Sequence, residues 1–487
     1  MAEFVTIAEN IGKADVLVVP MIGNNAAFFK RIASMCGEKC ENIIKRAIEK
    51  RTFSGKSGSF LVLDDGVEKT VLAGIGKNCK QTDAMTFGAE IYRRIKDSET
   101  AEIWVPAELT DKAPEVFLGM ALEEYRFDKY KTRQKAEELP KLEQVYFHFE
   151  KGGFNDKKLE EAKALANGVR YARDLGNEPP NALTPEIFAE DIKRLEYLGL
   201  DVDVIGADDL KANGFNLLYE VGKASANAPR AVVVKWLGNP QRREFDAVLV
   251  GKGITFDTGG INLKSSQGLK DMKVDMGGAA AVVSALKVQA LLKSKLNVAA
   301  VVGLAENGIG GKAYLPEDIL TSASGQTVEI VNTDAEGRLA LADCLWYACT
   351  KLKASLIVDL ATLTGATANV LKGYYAGLFC RDEALSEALL TAGKKCGEKL
   401  WPLPFDKEFD KMVDSKIADV RQLGQGMFGG TLAACFLQHF VKEKVKWAHL
   451  DIAGCETADK AKLLMPSGAT GFGVRLLTEY LKGIKAK

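Results

Sequence analysis

Residues 176–185, GNEPPNALTP, hold three of the chain's thirteen prolines. Proline has no backbone N–H and restricts the residue before it, so no long helix or strand continues through this stretch. On both sides, short apolar runs alternate with longer amphipathic ones. Upstream, residues 15–20, 59–63, 70–73, 103–105 and 144–148 read as strands, and 28–50 and 84–95 as helices. A charged helical stretch, 156–175, leads into the prolines. Downstream, 231–234, 246–250, 296–304, 327–331, 356–360 and 447–452 read as strands, with helical patterns over 277–292 and 339–351. Strands alternating with helices imply parallel sheets covered by helices. The predicted fold class is α/β in two domains. Residues 1–155 form an N-terminal α/β domain, 156–180 a connecting helix and proline-rich junction, and 181–487 a C-terminal α/β domain. Its sheet is mixed, mostly parallel, and covered by helices.

Charge excludes one broad class of function. Lys plus Arg and Asp plus Glu each total 65, and the signs also balance within 1–170 and within 171–487. A protein that holds nucleic acid by its phosphates needs a basic excess, so nucleic acid is not an expected partner. No apolar run approaches the roughly 18 residues of a membrane span. Glu3 and Glu9 stand where a signal peptide would carry basic residues. The nine cysteines form no C-x-x-C pair and read as buried thiols of a reducing compartment. The expected location is therefore cytoplasmic. Only three histidines occur, His148, His439 and His449, which removes most histidine-based hydrolase chemistry. His148 and His449 both fall in strand runs and read as structural.

Two familiar motifs fail. Gly251-Lys-Gly253 follows a strand, but the third glycine of a dinucleotide fingerprint would fall at Phe256. Gly55-Lys56-Ser57 resembles the end of a P-loop, but its first glycine would fall at Lys50.

Chemistry concentrates in two glycine-rich segments. The first runs VGKGITFDTGG over 250–260 and continues through Lys264 to KVDMGGAAAV at 273–282; the second is IVNTDAEGRL at 330–339. Lys252 is read at the carboxyl end of strand 246–250, Asn332 and Asp334 after strand 327–331, and Asp334 and Glu336 just before a helix starting near Leu339. Open α/β sheets bind ligands outside the carboxyl ends of their strands. Asp275 or Asp334 alone reads as a helix cap, worth about 1 kcal/mol. Several carboxylates facing one another repel and raise their pKa values. Glycine and alanine neighbours offer them no cover. Divalent ions resolve this, and two ions about 3.5–4 Å apart form a hydrolytic clamp. Lys252 could join such a shell only as a neutral amine, since ammonium cannot ligate.

NTDAEGRL at 332–339 resembles the signature of the leucyl (cytosol) aminopeptidases, peptidase family M17. DLATLTGA at 359–366, WAHLDIAG at 447–454, GATGFGVRLL at 468–477 and NEPPNALTP at 177–185 resemble the same family, as do the two segments above. The resemblance is wide over 170–480; before that it is confined to strand–helix order. It implies a metal-dependent leucyl aminopeptidase that releases N-terminal residues from short peptides with a free N-terminus, and a C-terminal domain that is catalytic. It implies two divalent ions, zinc or manganese, on Lys252, Asp257, Asp275, Asp334 and Glu336. Asp257 and Glu336 would bridge; Lys252 and Asp275 would serve the tighter site and Asp334 the exchangeable one. Lys264 would contact the reacting carbonyl oxygen. Arg338 would hold bicarbonate with backbone N–H groups around Ala335, Gly337 and Leu339. Met272, Thr362, Gly365 and Ala453 would line the pocket for the first residue, and the assembly would be a homohexamer.

One position departs from the pattern. After DIAG at 451–454 comes Cys455-Glu456, where the family usually has small or apolar residues. Glu456 is either a solvated loop charge or a carboxylate at the pocket rim. Two other classes compete with the peptidase. A two-metal phosphoesterase would use Lys264 and Arg338 to hold phosphate. A DNA-binding or chaperone role could accompany peptidase activity, although the zero net charge opposes strong DNA binding.

Overall fold

The computed structural model describes residues 3–6, 14–22, 53–64, 69–76, 79–426 and 429–485. The helix expected over 28–50 lies outside the described residues. The chain forms two compact units. One comprises Met1–Ala166 with Ala461–Pro466; the other comprises Asn167–Lys460 with Ser467–Lys487.

The first unit is built on a six-stranded sheet in the order Glu3–Thr6, Gln144–Phe149, Thr100–Val105, Val16–Met21, Lys69–Gly74, Phe60–Asp64. Every neighbouring pair is parallel except the last. Val18, Val19, Val71, Leu72 and Ala73 are fully buried consecutive residues. Such runs suit strands covered on both faces. His148 is 6% exposed and stacks on Trp104 with centroids 5.5 Å apart, a structural histidine.

The second unit carries an eight-stranded sheet in the order Leu400–Pro402, Ala376–Cys380, Lys446–Asp451, Leu356–Ala361, Ala247–Asp257, Asn297–Asn307, Arg230–Leu237, Asp201–Ile205. The four central strands are parallel, and antiparallel pairs flank them on both sides. The α/β class and the mixed sheet are as expected. Side chains alternate across the strand Ala247–Asp257. Val248 and Val250 join the cluster that contains Leu339, Leu341 and Leu345 of the helix Glu336–Thr350. Gly251 and Gly253 abut Ala279 of the helix Gly277–Leu291 on the opposite face. That second helix is almost entirely buried, which its run of Ala and Val permits.

Three local expectations change. Thr327–Glu329 does not enter the large sheet. It pairs with Ile319–Thr321 and Val420–Arg421 in a separate three-stranded sheet. Only Val328 of the three residues is buried, too little apolar surface for a strand sandwiched between helices. The strand expected to end at Val250 runs to Asp257, so Lys252 sits in its interior. Pairing with Asn297–Asn307 as far as Asn307↔Asp257 sustains the extra length. The helix expected to start near Leu339 starts at Glu336, which is therefore its first residue.

Candidate active site

Lys252 continues the Val248–Val250 face of its strand and is 3% exposed. Its Nζ lies 2.8 Å from Asp275 Oδ1 and 3.0 Å from Glu336 Oε1, and donates to Thr362 O at 2.9 Å. Thr362 follows the neighbouring strand Leu356–Ala361, and its hydroxyl donates to Asp275 Oδ1 at 2.7 Å. Gly337 explains the first glycine after Glu336. A Cβ there would lie 2.5 Å from Lys252 Cε, so any side chain would displace the lysine.

A second lysine closes the other side. Lys264 Nζ lies 2.8 Å from Asp257 Oδ2 and also pairs with Asp334. Its loop turns at Gly259, whose φ of 89° lies in the left-handed region and whose missing Cβ would fall 2.9 Å from Asp334 Oδ1. One carboxylate oxygen from each of Asp257, Asp334 and Glu336 lies within 4.8 Å of the other two. Lys252, Lys264, Asp257, Asp275, Asp334 and Glu336 are thus brought together, although Asp334 arrives from the small sheet and not from the end of a strand in the large one.

Four carboxylates meet two lysines here, and the electrostatics show the imbalance. Burial, and then the Glu336 and Asp257 charges, push the Asp275 carboxyl well above the usual range despite Lys252. Burial and Asp257 push Glu336 up to about 7. Asp334 is raised by burial against its pairing with Lys264. Burial works to discharge Lys252, but Asp275, Glu336 and Asp257 outweigh it and hold the ammonium. Asp275 Oδ2 and Glu336 Oε2 are buried without hydrogen-bond partners.

Arg338 lies in the first turn of the helix Glu336–Thr350 and is 4% exposed. Its Nη1 donates to Gln422 O at 2.8 Å, its Nε has no partner, and burial lowers it to about 10. Gly337 and Leu339 share that turn, where backbone N–H groups lack intrahelical acceptors. The Ala335 N–H instead donates to Asn332 O at 3.1 Å. Gly365 opens a short helix and is exposed; Ala453 is buried and donates to Asp451 Oδ1 at 3.2 Å. Met272 begins the 3-10 turn Met272–Val274, directly ahead of Asp275.

Glu456 is not a solvated loop charge. Its Oε2 is buried without a partner, and burial pushes the carboxyl up to about 7. Pairing of Thr457–Ala458 with Gly468–Ala469 holds the chain immediately after Glu456.

Four residues that sequence reasoning passed over organise the site. Asn307 Nδ2 donates to Asp257 Oδ1 at 2.8 Å, and Tyr314 donates to Thr333 O at 2.8 Å. Gln422 is fully buried; its Oε1 accepts from Val331 N and Asn332 N, and its Nε2 donates to Ala335 O. Asp451 accepts from Leu363 N, Thr364 N and Ala453 N, joining the loops that follow two adjacent strands. Asp451 lay within a quoted motif. The others are neutral groups acting across long sequence separations, with no local pattern to reveal them. His449 is fully buried, with Nδ1 2.6 Å from Asp359 Oδ1, as a core histidine.

Carboxylates and lysines gathered in this way, with buried unpartnered oxygens, make up a cluster whose donor set suits a divalent metal. Comparison with known proteins narrows the class. The pattern of the cytosol aminopeptidase family catalytic domain matches residues 170–478, and that of its N-terminal domain matches 29–134. The chain belongs to the cytosol aminopeptidase family, whose members are hydrolases of the exopeptidase kind. A probable cytosol aminopeptidase from Brucella melitensis is 44% identical over 426 residues, covering 86% of this chain and 87% of that one. One from Sinorhizobium medicae is 41% identical over 471 residues, covering 94% of each. Among solved structures, a mutant of tomato leucine aminopeptidase superposes with a TM-score of 0.86 at 29% identity, covering 99% of this chain and 96% of that one. The bottromycin maturation enzyme BotP in complex with Mn gives 0.84 at 32% identity, covering 96% and 99%. These matches favour the peptidase over the phosphoesterase.

Proposed function

We propose that the protein is a leucyl-type aminopeptidase that uses two divalent ions, zinc or manganese, to release N-terminal Leu and similar residues from short peptides. The observation that carries this is the surplus of carboxylates over lysines, with Asp275 Oδ2 and Glu336 Oε2 buried and unpartnered. Buried charge without a partner is costly, and an oxygen-rich set of this kind suits divalent cations. Lys252, Asp257, Asp275, Asp334 and Glu336 would hold the ions. A dication among these carboxylates reverses the field at Lys252 and favours its neutral amine, which can ligate.

Ions held there would supply Lewis acidity for the scissile carbonyl and for a water near neutral pH. The protein's own groups do the rest. The carboxylates would hold the ion that takes the substrate's free α-amine, which restricts cleavage to the N-terminal residue. Lys264, 17% exposed at its side chain, reaches the carbonyl oxygen and stabilises the charge developing there. Arg338 and the N–H groups of Gly337 and Leu339, with the Ala335 turn beside them, form an anion site at a helix N-terminus. Bicarbonate, if held there, would supply the proton acceptor that the three histidines of the chain do not provide. Thr362, Met272, Gly365 and Ala453 line the first-residue pocket.

The protein is further inferred to work in the cytoplasm as a homohexamer, with the N-terminal domain contributing to assembly. No helix among the described residues is long and apolar enough to cross a membrane. The experiment is turnover by the purified, metal-loaded protein. Release of leucine from leucine amide and short leucyl peptides, with none from N-acetyl-leucine amide or a phosphate monoester, is expected. Turnover of the phosphate ester alone would favour the phosphoesterase.

A further inference from the structure

The buried carboxyl of Glu456 takes no part in the ion pairs of the cluster, yet it stands beside them. Thr470 fixes the backbone here: its N donates to Glu456 O at 2.9 Å, and its hydroxyl donates to Cys455 O at 2.6 Å. The Glu456 Cβ lies 3.3 Å from the point where a Cβ on Gly277 would sit, and Thr362 Cγ2 lies 3.5 Å from the same point. Glu456 and Thr362 therefore flank the same side of Gly277, where the missing side chain lets both approach. The Thr362 hydroxyl is bonded to Asp275 Oδ1 at 2.7 Å, so this side adjoins the carboxylate cluster.

The surroundings of Glu456 are apolar. It lines a cavity of about 20 Å³ with Val274, Gly277, Ala280, Ile452 and Phe472, and no basic residue lines it. Glu456 Oε2 has no hydrogen-bond partner. The cation that acts on it, Lys252, is already engaged by Asp275 and Glu336. A carboxylate in such a place lacks the counter-charge that would offset its desolvation. The cavity has room for one water and not for a larger group. A cationic head would therefore meet Glu456 from the side of Thr362, which does not line this cavity.

We propose that Glu456 makes the first-residue pocket a site for cationic side chains, so that peptides beginning with arginine or lysine are substrates alongside those beginning with leucine. The inference rests on the aminopeptidase reading and on the first-residue pocket assigned above. With the α-amine held at the cluster, the first side chain enters the space beside Thr362 and Gly277. Arginine and lysine have aliphatic stems that fit where leucine fits, and a terminal charge that the stem can carry to Glu456. Truncating one partner of a buried charge pair is expensive, so discrimination should be substantial.

The test compares kcat/KM for arginyl, citrullyl and leucyl amides with the metal-loaded protein and with Glu456→Gln and Glu456→Met. Citrulline has nearly the shape of arginine without its charge. The wild type should prefer the arginyl over the citrullyl substrate by about tenfold or more. Both variants should lower the arginyl-to-leucyl ratio by a similar factor. Equal turnover of arginyl and citrullyl substrates by the wild type overturns the proposal even if the variants fail to fold, and so does an unchanged ratio in folded variants. No turnover of any of the three by the metal-loaded wild type would instead overturn the aminopeptidase reading beneath it.

Discussion

Lys252 Nζ stands 2.8 Å from Asp275 Oδ1, and both side chains are more than nine-tenths buried. An ammonium and a carboxylate would be a closed pair in most interiors. Here Glu336 lies 3.0 Å from the same Nζ and Thr362 donates to the same Oδ1, while Asp275 Oδ2 has no partner. The pair is one edge of a larger set whose negative charge exceeds its positive charge.

Replacing a member of that set should remove catalysis before it removes the fold. Asp275→Asn and Glu336→Gln preserve side-chain shape and reduce the repulsion. Each should lower kcat/KM on leucine amide by roughly a hundredfold or more. Circular dichroism and the thermal midpoint should remain those of a folded protein. Near-wild-type turnover by metal-replete Glu336→Gln would remove Glu336 from the metal set.

Arg338 is buried in the first turn of its helix and anchored by Gln422 O. If it holds the proton acceptor, Arg338→Ala should reduce kcat by about a hundredfold with only a small change in KM. Added bicarbonate should stimulate the wild type and leave the variant unmoved. Equal stimulation of both would point to a different base.

Asp343 makes a stability prediction away from the chemistry. Its carboxylate accepts from Leu217 N, Leu218 N and Ala323 N, joining the start of one helix to a distant loop. Asp343→Ala leaves three buried donors unpaired and should cost about 2–4 kcal/mol, whereas Asp343→Asn keeps an acceptor and should cost less. Burial pushes this carboxyl up to about 7, against the three N–H donors. The folded state therefore binds a proton that the unfolded chain releases near pH 4. That stabilisation is fully present below about pH 4 and is lost as pH rises through about 7. Thermal midpoints at pH 5 and pH 8 check the sign: the wild type should lose more than Asp343→Asn over that interval.

Assembly gives an independent check. Light scattering should report a species of about six subunits of 52.8 kDa. A stable, fully active monomer would be incompatible with the proposed hexamer.

Much of the fold was legible because helical and strand-like runs alternate without ambiguity. The central strands are buried on both faces, so Ala247–Val250 and Leu356–Val358 read as apolar runs. Thr327–Glu329 joins a different sheet from the one expected, since a short run does not say which sheet it pairs with. Sequence alone puts Lys252 at a strand end, since a lysine conventionally stops a buried run. Here Asp275 and Glu336 make its burial possible, and those partners come from distant segments. The charged site residues were visible through their motifs. Asn307 and Gln422 were not, since a neutral amide that holds a loop 26 or 90 residues away leaves no local trace.

The metal centre is tested most directly by measuring metal per subunit together with turnover of leucine amide, before chelation, after it, and after zinc or manganese is restored. Two ions per subunit, activity lost with the metal and regained on its return are the predicted result. Undiminished turnover by protein shown to be free of metal would contradict it.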